Sequence, residues 1–119
     1  MVDGTGIKKG ELVIIAVDEY AKKNPRLVEK VLQVYKRGYE FIKASPKQAA
    51  ELIAPEVKLT PEQLIKVLAK LDYDPVIRPE HMDELRKTEE FLRSNELTKN
   101  PVDIDKFVDT RYLKSAGLQ

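Results

Sequence analysis

Residues 11–44 read ELVIIAVDEYAKKNPRLVEKVLQVYKRGYEFIKA, and this stretch decides the fold prediction for the chain. Its run at residues 12–17 is apolar on both faces and rich in β-branched residues. At this short length, such a run is typical of a strand buried on both sides. We therefore predict a β-strand over residues 11–17. The chain has no second convincing strand, so this one must pair with upstream residues or with another copy of the chain, because lone strands leave backbone groups unsatisfied.

The same stretch continues into the longest predicted helix, which runs to about Ala44. Asp18 begins a short turn, and Asn24 with Pro25 then combines an N-cap residue with proline at the first helical position. Beyond them an apolar stripe recurs at helical spacing. Its members are Val28, Val31, Leu32, Tyr35, Tyr39 and Ile42. The charged residues of this helix lie mainly off the stripe and are expected to face solvent.

Four further helices are predicted downstream. Ser45 and the following proline start a short helix that Pro55 stops, and Thr60 starts another, with Gln63 at the spacing of a capping box. A longer helix covers residues 79–95, and a short one covers residues 102–108. The side chains expected to face the core are Ala49, Ala50, Ile53, Leu64, Ile65, Leu68, Leu71, Met82, Leu85, Phe91, Leu92, Tyr112 and Leu113.

The predicted fold class is therefore mostly α with one N-terminal β-strand. Residues 1–10 are polar with three glycines and are interpreted as a flexible lead-in. Residues 11–119 are interpreted as a single helical domain, a size that fits one domain or one lobe of a larger protein.

Composition narrows the function classes. The 42% of hydrophobic residues is enough for a real core. Lys and Arg number 21 against 20 Asp and Glu, a balance that argues against a nucleic-acid partner. The absence of cysteine excludes disulfides and thiolate metal sites. The longest apolar run, residues 12–17, is too short for a membrane span, and the N-terminal residues lack the pattern of a signal peptide.

No group of residues predicts a reaction, a metal site or a cofactor. His81 is the only histidine, and it lacks partners for a catalytic triad or a zinc site. A polar, solvent-exposed position in the first turn of a helix is the better interpretation of this residue. Asp72 and Asp74 flank Tyr73, where turn and cap roles are favoured over an acid–base pair.

Two other charged groups have a simple structural interpretation. Asp103, Asp105 and Asp109 lack the glycine and glutamate positions of a calcium loop, which favours helix capping. The basic residues of the long helix are interleaved with Glu29 and Glu40, which favours an ordinary solvated face over phosphate contacts.

Six motifs, taken in order, resemble the C-terminal segment of one protein family. Residues 18–25 (DEYAKKNP) match the pattern sxeFxxxNP, and residues 45–50 (SPKQAA) match NPxxAA with Ser45 in place of asparagine. The remaining four are the helix at 60–71, the pair Tyr73-Asp74, the helix at 85–97 and the closing PVDIDKFVDTRYLKSA at 101–116. This order resembles the nitrate-, sulfonate- and taurine-type solute-binding proteins of ABC transporters, a class that includes binders of thiamine-precursor pyrimidines. Glu96 and Leu97 stand where many relatives have glycine.

The resemblance spans about residues 10–117 and implies a fragment of an α/β two-lobe fold of the type II periplasmic-binding-protein class. The chain would supply the last strand of the second lobe and the helical tail. It implies binding of a small anion or heterocycle (a sulfonate, taurine, nitrate or a pyrimidine) without covalent chemistry or a cofactor. It also implies an ABC transporter permease as partner and a periplasmic or extracytoplasmic, membrane-associated location for the full-length protein. The family's ligand contacts lie mostly upstream, so no ligand-binding residue is carried over.

The residues alone leave another hypothesis open, a stand-alone helical interaction module that self-associates through strand 11–17. An exposed, flat, apolar edge invites pairing with a second copy. We therefore predict a homo-oligomer of this chain under either hypothesis. An enzyme has no supporting constellation. The residues predicted to mediate self-association are Leu12, Val13, Ile14, Ile15, Ala16 and Val17.

Overall fold

The computed structural model describes residues 12–119; the predicted lead-in at residues 1–10 and Glu11, the first residue of the predicted strand, lie outside this range. Helices make up 66% of the described residues, which confirms the mostly α class for this part of the chain. Within it, no helix has the combination of length and apolarity needed to cross a bilayer. The helices are α1 Asp18–Lys23, α2 Pro25–Ala44, α3 Pro46–Val57, α4 Pro61–Leu68, α5 Pro79–Ser94, α6 Ile104–Phe107 and α7 Arg111–Ser115.

Residues 12–17 form neither a helix nor a paired strand in the single chain. Val17 is extended, with φ −69° and ψ 125°, and the exposed fraction of the residues in this run reaches 80% at Ile15. A strand is completed by a neighbour that pairs with its backbone groups, and residues 12–119 provide none. The strand at 11–17 therefore stays a prediction.

The core lies between α3 and α4. Ala50 and Ala54 of α3 are buried against Leu64 and Leu68 of α4. The small alanine side chains let the backbones of α3 and α4 approach each other closely, so a few side chains are enough to fill the interface. Helix α2 packs on α3 and also on α7, whose Leu113 is buried as predicted.

Helix α3 continues through Pro55 to Val57, so the prediction that Pro55 stops this helix is wrong. Proline removes one backbone donor and crowds the preceding turn, and the helix tolerates this in its last turn. The helix ends at Val57, and its C-cap residue, Lys58, has φ 55°. The Leu59 N–H then donates to the Ala54 carbonyl at 3.2 Å.

The three predicted N-caps behave differently. Thr60 and Gln63 form the predicted capping box, with distances of 3.3 Å from Gln63 N to Thr60 Oγ1 and 2.9 Å from Thr60 N to Gln63 Oε1. Asn24 and Ser45 make no side-chain cap bond, so that part of the prediction is wrong. The Asn24 Nδ2 group instead donates to the Tyr20 carbonyl at 3.0 Å, which fastens α1 to the start of α2.

Residues 79–109 form a second unit, which we call the α5–α6 arm. Helix α6 packs on α5, held by an ion pair between Arg86 Nη2 and Asp105 Oδ1 at 2.6 Å. Helix α5 contains no fully buried residue. Phe91 is 59% exposed, so the prediction that it faces the core is wrong. No helix among the described residues covers that face of α5.

At the end of α5, Glu96 stands at a position where many proteins of the resembled family have glycine. Glu96 has φ 57°, in the left-handed region that favours glycine. The next N–H, that of Leu97, donates to the Leu92 carbonyl at 2.9 Å. A non-glycine residue costs about 1–2 kcal/mol in this conformation. Glu96 thus adopts a backbone conformation that glycine would adopt more easily.

The molecule is flat and open. Its extents are 44 × 43 × 24 Å, and its radius of gyration is 16.9 Å, against about 13–14 Å for a compact domain of this length. The accessible surface is 9710 Å², against about 6,600 Å² for a compact monomer of this mass. Large apolar side chains on several helices are correspondingly exposed in the single chain.

Candidate functional site

Two surface depressions are the concave features to consider for a ligand. One, of about 430 Å³, lies at the α1–α2 corner and is lined by Lys23, Asn24, Pro25, Arg26, Leu27 and Lys30. The other, of about 190 Å³, lies between α2 and α7. Both are open to solvent, whereas small-molecule sites enclose most of the ligand surface. Neither depression is a ligand cleft by itself.

His81 has the structural role that its sequence position suggests. Its Nδ1 accepts a hydrogen bond from the Arg78 backbone N–H at 3.1 Å, in the first turn of α5. Within residues 12–119, no three His, Asp or Glu side chains are grouped in a way that would hold a metal ion.

Asp103 caps α6, as predicted. Its Oδ1 accepts from the Lys106 N–H at 3.3 Å. The other two acidic residues of this region are engaged by arginines, Asp105 by Arg86 and Asp109 by Arg111. These carboxylates serve as caps and ion-pair partners.

Asp74 is the centre of an ion network that joins α2 to the segment before α5. Its side chain is only 4% exposed. The carboxylate accepts hydrogen bonds from Lys36 Nζ at 3.0 Å, from the Arg78 guanidinium and from the Val76 N–H at 3.3 Å. The Lys36 ammonium also lies 5.0 Å from the centroid of the Tyr39 ring. The sequence pattern placed Lys36 on a solvent-facing side of the helix. It did not predict the contact with Asp74, which lies 38 residues further along the chain.

The network is structural. Burial by itself would raise the pKa of Asp74, but the hydrogen bonds from Lys36, Arg78 and the Val76 N–H outweigh it and hold that pKa below the ordinary 3.8. A carboxylate that stays ionised at neutral pH cannot act there as a general acid. Asp72 Oδ1 accepts from the Asp74 N–H at 3.0 Å, which confirms the predicted turn role.

Acid is expected to destabilise the fold through Asp74. Because its folded pKa lies below the unfolded value of about 3.9, the unfolded chain takes up protons first as pH falls. The stabilisation is present above the unfolded pKa and is lost as pH drops toward the folded pKa. Urea midpoints measured at stepped pH should therefore fall in this window, and Asp74→Asn should flatten the fall. Asp103→Asn, at a half-exposed carboxylate whose pKa is also lowered, should flatten it less. Equal profiles for the two variants would contradict the assignment.

Helix α2 carries a second apolar stripe that the sequence analysis did not separate from the first. Positions 27, 31, 34, 38 and 41 are spaced alternately by four and three, so they share one helix face. The large side chains of this face are exposed, and a Cβ at position 38 would meet nothing within 4 Å. We call this surface the α2 stripe; its members are Leu27, Val31, Val34, Gly38 and Phe41.

The structure therefore corrects two core positions predicted on α2, and Leu71, also predicted to face the core, is exposed as well. Val31 belongs to the α2 stripe, and Tyr35 is also exposed, although both were expected to face the core. The alternating spacing was visible in the sequence, but which face another element covers depends on tertiary packing. Together the two apolar stripes cover about half of the circumference of α2, more than the roughly 100° that one core-facing stripe needs.

The six residues predicted to mediate self-association, at positions 12–17, are all exposed. They precede α1 directly and do not pack into the α3–α4 core. Exposure makes them available to a neighbouring strand, and the association itself stays a prediction.

Comparison with known protein families gives a match in the N-terminal part of the chain. Residues 2–49 match the model of the family described as NMT1/THI5 like. The matched range includes residues 12–17, α1, α2 and the start of α3. No curated protein and no solved structure matches the chain significantly. The match supports the family of nitrate-, sulfonate- and thiamine-precursor-type binding proteins, without pointing to one member.

Proposed function

We propose that the chain is the C-terminal part of an ABC-importer solute-binding protein for a small anion or heterocycle, of the sulfonate, taurine, nitrate or pyrimidine class. The observation that carries the proposal is the match of residues 2–49 to the NMT1/THI5-like family. The ordered motifs downstream of Ser45 resemble the same class and extend the likeness toward the C-terminus.

Two structural features support this proposal. The apolar run at 12–17 leads through α1 directly into α2, and a helix that follows a buried strand normally packs on the sheet containing that strand. The uncovered α2 stripe is a face that such a sheet would fill. A chain with an exposed apolar run before α1 and a half-covered α2 fits a portion of a larger α/β lobe.

The proposed mechanism is capture of the solute between two lobes that close on it, followed by delivery to the permease, with no covalent step. Most of the cleft would come from residues outside this chain. Residues 12–17 would complete the second lobe, and the helices would connect it to the first. Such a protein works on the outer side of the cytoplasmic membrane and needs no cofactor.

The reading frame that contains these 119 codons provides the first test. The proposal expects the frame to continue upstream of Met1 and to encode the strands and helices of two α/β lobes. An in-frame stop codon directly upstream, with translation starting at Met1, would overturn it.

The exposure of residues 12–17 favours a second candidate function, a stand-alone interaction module that self-associates through strand 11–17. Ile14→Lys is expected to weaken this association, because a central lysine would place an unpaired charge in the strand interface. Light scattering over a range of protein concentrations measures the effect. Gln48→Lys, which adds the same charge at an exposed position of α3, should leave association unchanged. A clean monomer with slowly exchanging Ile14 and Ile15 amides would contradict this candidate.

A further inference from the structure

The helices of the described chain pack in two separate groups. Helix α2 packs on α1, α3 and α7, and α3 packs on α4. We call this group, residues 18–68 together with α7, the body. Helices α5 and α6 of the arm pack on each other, and among residues 12–119 they share no interface of comparable extent with the body. The position of the arm therefore depends on the chain segments that join it to the body.

Bonds inside the α5–α6 arm make it one unit. The ion pair between Arg86 and Asp105 holds α6 on α5. In the connection between the two helices, the Val102 N–H donates to Glu89 Oε1 at 3.3 Å. Glu89 also pairs with Arg93 of the same helix at 3.4 Å. These contacts keep the shape of the arm, but they do not fix its direction relative to the body.

Two segments without regular secondary structure join the arm to the body. Residues 71–78 lead into the arm, and residues 108–110 lead out of it. Helix α7 follows the exit directly and packs on α2, and its Leu113 is buried. The Gln33 Nε2 group of α2 also donates to the Ala116 carbonyl at 3.2 Å. The exit of the arm is therefore held on α2.

The entry of the arm depends on the two carboxylate oxygens of Asp74. Its Oδ1 accepts a hydrogen bond from Lys36 of the body at 3.0 Å. Its Oδ2 accepts one from the guanidinium of Arg78, the residue directly before α5. The Asp74 side chain is 4% exposed, and hydrogen bonds between charged groups are stronger away from water. The body and the start of the arm thus share one buried carboxylate.

The other contacts of the entry segment are weaker or stop short of the arm. Tyr73 packs against the α3–α4 core, which fixes the beginning of the segment on the body. Arg78 Nη1 lies 3.8 Å from the mostly exposed Asp72 carboxylate, and exposed pairs contribute little. Gln119 Nε2 donates to the Ile77 carbonyl at 2.8 Å in an exposed position. The bond from Arg78 to the buried carboxylate is therefore the main tie at the entry.

We propose that the α5–α6 arm is a hinged unit that turns about its two connecting segments, and that the Arg78–Asp74 bond holds it in the observed orientation. Hinges are short loop segments that absorb the backbone change of such a motion. When Arg78 leaves the carboxylate, the entry is free beyond Tyr73, whereas α7 still holds the exit. The arm then moves as one unit while the α3–α4 core stays packed. This inference concerns residues 12–119 themselves and does not depend on the proposed transport role.

A distance measurement between the body and the arm tests the proposal. The chain has no cysteine, so spin labels can be attached after Lys47→Cys on α3 and Glu90→Cys on α5, both at exposed positions. Double electron–electron resonance gives the distribution of distances between the two labels. We expect one narrow distribution when no other residue is changed. Arg78→Ala should raise the population of the displaced arm at least about tenfold, as the loss of a hydrogen bond between charged groups implies.

Lys36→Met, which separates the same carboxylate from the body, should also raise the displaced population. It provides the decisive result if circular dichroism shows that Arg78→Ala has lost its helices. Arg93→Ala is the matched control, because the ion pair it removes lies inside the arm, and it should keep the narrow distribution. A label pair within the body, Lys47→Cys with Lys66→Cys on α4, should keep its distance in every variant.

Three results would overturn the hinge. The first is an unchanged distribution in Arg78→Ala, or in Lys36→Met if Arg78→Ala does not fold. The second is an equal displacement in Arg93→Ala, which would show that the entry bond has no special role. The third is a broadened distance within the body, which would show that the α3–α4 core loosens together with the arm.

Discussion

Replacing Asp74 with alanine is expected to lower the free energy of unfolding by about 3 kcal/mol, because breaking a buried ion pair leaves its partners uncompensated. The carboxylate is almost fully buried, whereas Lys36 and Arg78 are partly exposed. The loss should therefore lie at the lower end for buried pairs. Urea denaturation followed by circular dichroism at neutral pH measures it.

Asp83→Ala is the matched control for this prediction. Asp83 also pairs with an arginine, Arg86, at 2.7 Å, but in solvent. Exposed pairs contribute about 0–1 kcal/mol, so this variant should stay close to the wild type. Equal losses in the two variants would show that the burial of Asp74 has no energetic consequence. Asp74→Asn, which keeps an acceptor for the Val76 N–H, should fall between them.

Leu64→Ala is expected to cost about 3 kcal/mol, the usual range for emptying a buried leucine site. Leu64 is 4% exposed in a core that it shares with Ala50, Ala54 and Leu68. The alanines cannot move to fill the space, so the cavity should persist. Thermal and urea denaturation provide the measurement.

Val67→Ala on the same helix provides the comparison. Val67 is exposed, and its truncation should cost less than about 1 kcal/mol, because little apolar area returns to water. A similar loss in both variants would contradict the placement of the core between α3 and α4.

The helix positions could be predicted because their signals are local. Thr60, Gln63 and the proline between them specify the start of α4 with no help from the rest of the chain. The side-chain roles of Asn24 and Ser45 were harder to predict, because an Asn or Ser side chain at a cap can form a hydrogen bond with any of several nearby backbone groups. Pro55 was misjudged because it lies in the last turn of α3, where only two helical residues follow the distortion that proline imposes.

The remaining wrong or missing predictions concern contacts between residues that are far apart in sequence. Lys36 and Asp74 are far apart in sequence, and no periodic pattern links them. Phe91 occupies an apolar position of a helix, but an apolar position predicts burial only where another element covers it. The same reasoning applies to the α2 stripe, which no element among residues 12–119 covers. The sequence pattern predicted which helix faces are apolar. Which of those faces are buried depends on the tertiary packing.

The prediction of a strand at 11–17 and the family match concern the same region. The match covers residues 2–49, and these include the exposed run, α1 and α2. A stretch that belongs to a sheet in a larger lobe should appear, in a single chain, as an apolar extended run without partners. Residues 12–17 are apolar, exposed and outside any helix, which makes the region the natural place to test the proposed function.

The most direct test is calorimetric titration of the polypeptide translated from the whole reading frame that contains these 119 codons. Sulfonates, taurine, nitrate and thiamine-precursor pyrimidines are the solutes to titrate. The proposed function predicts a longer polypeptide that binds one of these solutes with one-to-one stoichiometry, while the 119-residue chain alone binds none. A reading frame that begins at Met1, or a longer polypeptide that binds no solute of this panel, would contradict it.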